Sequence, residues 1–117
     1  MRERRRDRRV TLRKPVLAAV NAAPVFVLDV STGGLRVAHR SQLPPPGAVC
    51  SVDLPSENGN SIRLDCAIVH TAIQQANSAA EKLFQTGLRI VTTDAIARDR
   101  AVKRLIRHDS DGVMSRK

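Results

Sequence analysis

The chain has 117 residues, enough for one domain with a core of modest size, and its formal net charge of +9 favours an anionic partner. That charge sits at the ends: residues 1–14 carry a net +6, residues 98–117 a net +4, and the body between them a net −1. Phe26 and Phe84 stand without any Trp or Tyr, so the core must be aliphatic, and recognition by stacked aromatic platforms, as in RNA-binding sheets and single-strand grooves, is disfavoured.

Taken in chain order, an arginine run (RERRRDRR, residues 2–9) leads to Pro15 and a short apolar stretch, VLAAV, read as a first strand at 16–20. Asn21-Ala-Ala-Pro24 reads as a turn and VFVLDV (25–30) as a strand rich in β-branched residues. STGG (31–34) breaks it, and LRVAHR (35–40) resumes with Leu35, Val37 and His39 alternating against Arg36, Ala38 and Arg40, which makes a hairpin. QLPPPG (42–47) is a stiff, non-helical connection.

AVCSVDL (48–54) places Ala48, Cys50, Val52 and Leu54 on one face, and IRLDCAIVH (62–70) does the same for Ile62, Leu64, Cys66, Ile68 and His70. A three-residue turn at Asn58-Gly59-Asn60 pairs these faces, whereas a two-residue turn would flip every side chain. Residues 71–85 read mostly as loop, with capping-box spacing at Ser78 and Glu81 that could start one helical turn. TGLRIV (86–91) is the last strand. Asp94 caps a helix over 95–108, with Ala95, Ile96, Val102, Leu105 and Ile106 as its apolar stripe and Asp94–Arg98 and Asp99–Lys103 as i, i+4 pairs.

This order predicts an all-β domain with a C-terminal helix: a small six-stranded antiparallel β-barrel whose closure protects its edges. The expected organisation is a flexible basic arm at 1–14, the barrel at 15–94, the helix at 95–108 and a disordered tail at 109–117. No apolar run is long enough to span a membrane, and no apolar segment follows the basic N-terminus as in a secretory leader, so the cytoplasm is the expected location. Two cysteines without a spacing pattern make no disulfide framework. Cys66-x-x-x-His70 sits on an aliphatic face and reads as core rather than as a metal site, and His39 and His108 read as surface residues.

Two segments remain: the arginine run, and DVSTGG (29–34) at the turn between the second and third strands. Together they resemble the PilZ domain family, bacterial receptors for the second messenger cyclic di-GMP, marked by R-x-x-x-R near the N-terminus and [D/N]-x-S-x-x-G about twenty residues later. The resemblance covers nearly the whole chain and implies the same fold of six antiparallel strands with a C-terminal helix. Four arginine pairs satisfy the first motif: Arg2/Arg6, Arg4/Arg8, Arg5/Arg9 and Arg9/Arg13. Relatives place the second arginine just before an apolar residue entering the first strand, and Arg9-Val10 matches that placement, so Arg5 and Arg9 are assigned. With Asp29, Ser31 and Gly34 they form the ligand set that the resemblance implies. Arg4, immediately before the motif, holds the position associated with binding an intercalated ligand pair.

The chemistry suits these residue types. An arginine fork matches the O6 and N7 acceptors of guanine with two parallel hydrogen bonds, and can instead stack on a purine or grip a phosphate. The opposite guanine edge offers donors, which suit the Asp29 carboxylate and the Ser31 hydroxyl. Gly33-Gly34 permits positive φ and close backbone approach. The expected function is therefore a non-enzymatic cyclic di-GMP receptor that needs no cofactor or metal. Its arm would be mobile without ligand and wrap over it when bound, signalling to a separate effector protein. The alternative is a nonspecific nucleic-acid-binding protein using its basic termini, disfavoured by the scarcity of aromatics.

Overall fold

In the computed structural model, which describes residues 9–31, 33–55, 61–76 and 82–114 (for 74–76 and 107–114 the backbone alone), the apolar stretches form six strands and one helix. The strands are β1 (Val10–Val20), β2 (Ala23–Val30), β3 (Gly34–His39), β4 (Val49–Leu54), β5 (Ile62–Ala76) and β6 (Lys82–Ile90), and helix α1 follows at Ala95–Met114. All neighbours pair antiparallel in the order β1-β2-β3-β6-β5-β4, and the ring closes where Ala19 and Val20 meet Asp53 and Val52. Inward-facing Val27, Val37, Leu35, Leu54, Leu64 and Ile68 fill it, an aliphatic core as the composition requires. No described helix is long and apolar enough to cross a membrane.

Several elements depart from the sequence reading, each for a local reason. Strand β1 begins at Val10 rather than at residue 16, so residues 10–14 of the expected arm belong to the sheet. The pairing steps from Thr11↔Asp29 to Val16↔Val27, and Pro15 falls inside that irregularity, where its missing N–H breaks no ladder bond. Residues 71–76 and 82–85, read as loop, are strand: Thr71↔Thr86, Ala72↔Gln85 and Ile73↔Phe84 continue the β5–β6 hairpin. Apolar alternation fades there because the hairpin runs past the core, leaving Ile73 exposed. The Ser78–Glu81 feature lies outside the described residues.

Strands β4 and β5 join the expected faces, but Leu54 lies opposite Ile62, which centres the connection on residue 58 rather than 59. The turn residues themselves, 58–60, lie outside the description. His70 leaves the core face because β5 carries one extra residue between Ile68 and His70, which turns His70 outward. Cys66 is fully buried while His70 is exposed, so the two cannot share a metal. His39, read as a surface residue, is buried. Its Nδ1 lies 2.6 Å from the Ser41 carbonyl oxygen, its Nε2 lies 2.6 Å from the Thr86 hydroxyl, and its ring stacks on Phe84.

The helix starts as expected. The Asp94 carboxylate accepts from the amides of Ile96 and Ala97 at 3.0 and 3.2 Å, an N-cap, and Lys103 pairs with Asp99 at 3.2 Å. Asp94 is engaged by the cap, and no Asp94–Arg98 side-chain pair forms among the described residues. Ala101, Val102 and Leu105 reach the core, and the helix packs on β1, β2 and β5. Ile96 is 72% exposed, contrary to the expected stripe. It precedes Leu105 by about two and a half helical turns and so lies on the opposite face. The helix continues to Met114, past the expected end at 108, and residues 115–117 lie outside the description.

Two local features yield predictions. Val20↔Ala23 pairing leaves Asn21 and Ala22 as a two-residue turn with φ of 48° and 73°. Both values suit a hairpin turn of the primed type, and Ala22 carries a Cβ in a region where it is unfavourable. Ala22→Gly should therefore raise stability by about 0.5–1 kcal/mol, the strain relief exceeding the added chain entropy, as read by thermal unfolding.

Cys50 and Cys66 lie directly opposite one another, both buried. Burial, followed by the neighbouring Cys50 and Asp65, pushes the Cys66 thiol from 9.0 up to about 12, and burial with Asp65 also raises Cys50. Below pH 9 both folded and unfolded chains keep these protons. Between 9 and 12 the unfolded chain releases a proton that the folded chain retains at Cys66. Stability should thus fall with rising pH in that window, by up to roughly 1.4 kcal/mol per pH unit for this thiol. Urea unfolding at pH 8 and 10.5 measures the fall, which Cys66→Ala should lessen.

Candidate functional site

The site is built on a bulge in β2. A regular strand would put Asp29 on the same face as Val25 and Val27, inside the core. Instead one extra residue between Val27 and Asp29 shifts the pairing, so that Asp29 lies opposite Arg36 on the outer side and Val30 turns inward against Leu35. The Asp29 side chain is only 3% exposed, covered by two arginines that are themselves nearly half exposed. Arg9 Nη1 donates to Oδ1 at 2.6 Å. Arg36 donates to Oδ2 through Nε at 2.7 Å and contacts the same oxygen through Nη2 at 2.6 Å. Both carboxylate oxygens are therefore held; Arg36 Nη1 also donates to Gln85 Oε1 at 3.5 Å, which leaves the remaining guanidinium N–H groups of the two half-exposed arginines for an external acceptor.

The turn after Asp29 is tied by Ser31. Its amide donates to the Gly34 carbonyl at 2.9 Å, and its Oγ accepts from the amides of Gly33 and Gly34 at 3.2 and 3.1 Å. The Ile90 amide donates to the Gly33 carbonyl at 2.9 Å, fastening the turn to the end of β6. Gly34 is buried in β3 and is not a positive-φ position. Its close approach is to the Leu88 carbonyl oxygen, which would lie 2.4 Å from an added Cβ. Ser31 and Gly34 thus shape the turn in this structure, and Arg9, Asp29, Ser31 and Gly34 come together as the motif spacing suggested. Arg4 and Arg5 lie outside the described residues.

Beside this cluster is an open cavity of about 410 Å³ with Arg9, Arg36 and Arg89 on its walls. Its apolar and bare-backbone surface comes from Leu35, Leu88, Val69 and Gly87. Arg36, Val69, Gly87 and Arg89 were not singled out from sequence. For Arg36 a signal existed: it alternates against Leu35 and Val37 just beyond the DVSTGG turn. Among the described residues no group of three His, Cys, Asp or Glu side chains could hold a metal ion.

The family model of the PilZ domain matches residues 3–108. The chain belongs to the PilZ domain family. A solved structure, the PilZ domain with c-di-GMP of YcgR from Escherichia coli, superimposes with a TM-score of 0.72, covering 97% of this chain and 96% of that one at 12% identity. At such identity the likeness is one of fold. No curated protein sequence matches the chain. In PilZ terms, the structure locates Arg9 beside the Asp29 turn across the β1–β2 pairing, with Arg36 as a second, unanticipated cation on the same carboxylate.

Proposed function

We propose that this PilZ domain is a cyclic di-GMP receptor that passes ligand binding on to a separate effector protein. The observation that carries this reading is the buried Asp29 carboxylate holding two half-exposed arginines beside an open cavity. A carboxylate anchored this way sets the guanidinium planes, and preset forks suit guanine O6/N7 edges and phosphate oxygens. Arg5 reaches the ligand from the N-terminal side, Arg9 and Asp29 form the base of the site, and Ser31 with Gly34 keeps the turn in shape. Arg4 adds contacts to a second, intercalated ligand molecule. The YcgR structure, determined with c-di-GMP, supports the ligand class. Nothing in the comparisons supports the nucleic-acid alternative.

Binding draws the N-terminal arm over the cavity. Ordering five or six residues costs on the order of 5–10 kcal/mol, so several charge-assisted bonds of roughly 1.5–3 kcal/mol must form together. That cooperativity suits a switch. Calorimetric titration with cyclic di-GMP should show saturable binding at roughly tens of micromolar or tighter, weakened by about tenfold or more in Arg5→Ala and in Arg9→Ala. Absence of saturable binding by the wild-type chain would overturn the proposal, and unchanged binding by both variants would overturn the arginine assignment. Amide exchange in residues 2–8 should slow on ligand addition, whereas Val10 and Thr11 already pair with β2. Equal protection with and without ligand would sink the arm-closure step.

A further inference from the structure

Two glycines flank the cavity floor, and they differ in what requires them. Gly34 has no room for a Cβ, because the Leu88 carbonyl lies in the way. Gly87 has nothing within 4 Å of where its Cβ would lie and is not a positive-φ position. Packing and backbone conformation therefore place no demand for glycine at residue 87, although glycine inside a strand weakens it.

What the missing side chain leaves is a flat gap. Across the outer face, Asp29, Arg36, Gly87 and His70 occupy successive strands in one row. Val69, at the irregularity in β5, is 54% exposed and lines the same cavity as Gly87. Arg36 pairs directly with Gly87 and is held by Asp29, while Arg89 stands two residues further along the same face of β6. The Arg89 side chain forms no ion pair among the described residues. The gap thus has a bare peptide floor, an apolar side and two guanidinium groups, which matches the face and edges of a planar purine.

We infer that Gly87 is the seat of a purine base of the bound dinucleotide, with Arg36 and Arg89 as binding residues at its edges. The inference rests on the cyclic di-GMP reading above and adds residues from β3 and β6 that neither arginine nor turn motif contains. A side chain at 87 would project into the base's volume from a Cβ position that meets nothing within 4 Å.

The test is calorimetric titration of the full chain with cyclic di-GMP, together with thermal unfolding. Gly87→Val should keep or raise the melting temperature, since valine suits a strand, and weaken binding by about tenfold or more, because its methyl groups would exclude the base from the gap. Arg89→Met should weaken it by roughly fivefold through loss of one charge-assisted contact. Gly87→Val binding within about twofold of wild type would overturn the seat. Should Gly87→Val fold poorly, Gly87→Ala decides in the same way, with roughly threefold weakening expected and unchanged affinity overturning the inference. A wild-type chain that fails to bind overturns the receptor reading first, and a wild type that binds beside an indifferent Gly87→Val overturns this inference alone.

Discussion

Gly34→Ala is expected to destabilise the domain by about 3 kcal/mol or more, a large share of the 5–15 kcal/mol typical of small domains. The added Cβ would lie 2.4 Å from the Leu88 carbonyl oxygen, and that oxygen belongs to the backbone of β6, not to a side chain that can swing away. Gly34 also pairs with Arg89, and its amide and carbonyl close the Ser31 turn. Relief therefore requires separating β3 from β6 at the point where the turn is fastened. Thermal unfolding should show a drop of roughly 10–20 °C, at about 4–8 °C per kcal/mol for a domain of this size. A shift of only a degree or two would mean that the two strands can part at little cost. In this structure, then, the last glycine of the D-x-S-x-x-G signature is first a packing requirement.

Asp29→Ala is expected to affect stability and ligand affinity by different routes. Removing the carboxylate leaves Arg9 and Arg36 without their shared acceptor, but both are nearly half exposed and can turn to water. The stability loss should therefore be about 1–3 kcal/mol, below the 3–5 kcal/mol seen when a charge is stranded in the interior. Affinity for cyclic di-GMP should fall further, by roughly a hundredfold, because two guanidinium groups lose their preset orientation together. Urea unfolding and calorimetric titration separate the two effects. Arg9→Lys should reproduce much of the affinity loss with its charge intact, since an ammonium cannot supply the fork. Full affinity in Arg9→Lys would show that charge alone suffices there.

The β-branched alternation of residues 25–30 and 48–54, the Asp94 cap and the i, i+4 pair Asp99–Lys103 were legible from sequence because each depends on neighbours within one element. The strand at 71–76 and the first half of β6 were not. Their side chains do not alternate into a core, and their partners are supplied by each other across the hairpin. His39 was misplaced for a related reason: its partners Thr86 and Phe84 are more than forty residues away, and only the β3–β6 pairing brings them beside it.

The candidate site divides along the same line. The motif spacing named Arg9, Asp29, Ser31 and Gly34, and these side chains and turn atoms do meet. Yet simple period-two reading would bury Asp29 beside Val25 and Val27. A one-residue bulge, which leaves no mark in hydrophobic pattern, turns it outward to Arg36. The second bulge does the same for His70 on β5. By itself the sequence determined the strand-rich class, the aliphatic core, the helix start and the chemistry of the two motifs, because these follow from residue type and local period. Only the tertiary structure decided which face each bulged residue takes, that Arg36 shares the carboxylate of Asp29, and that Gly87 lies open where Gly34 is closed. Those outcomes depend on register between strands far apart in the chain, and a shift of one residue in register reverses every side chain beyond it.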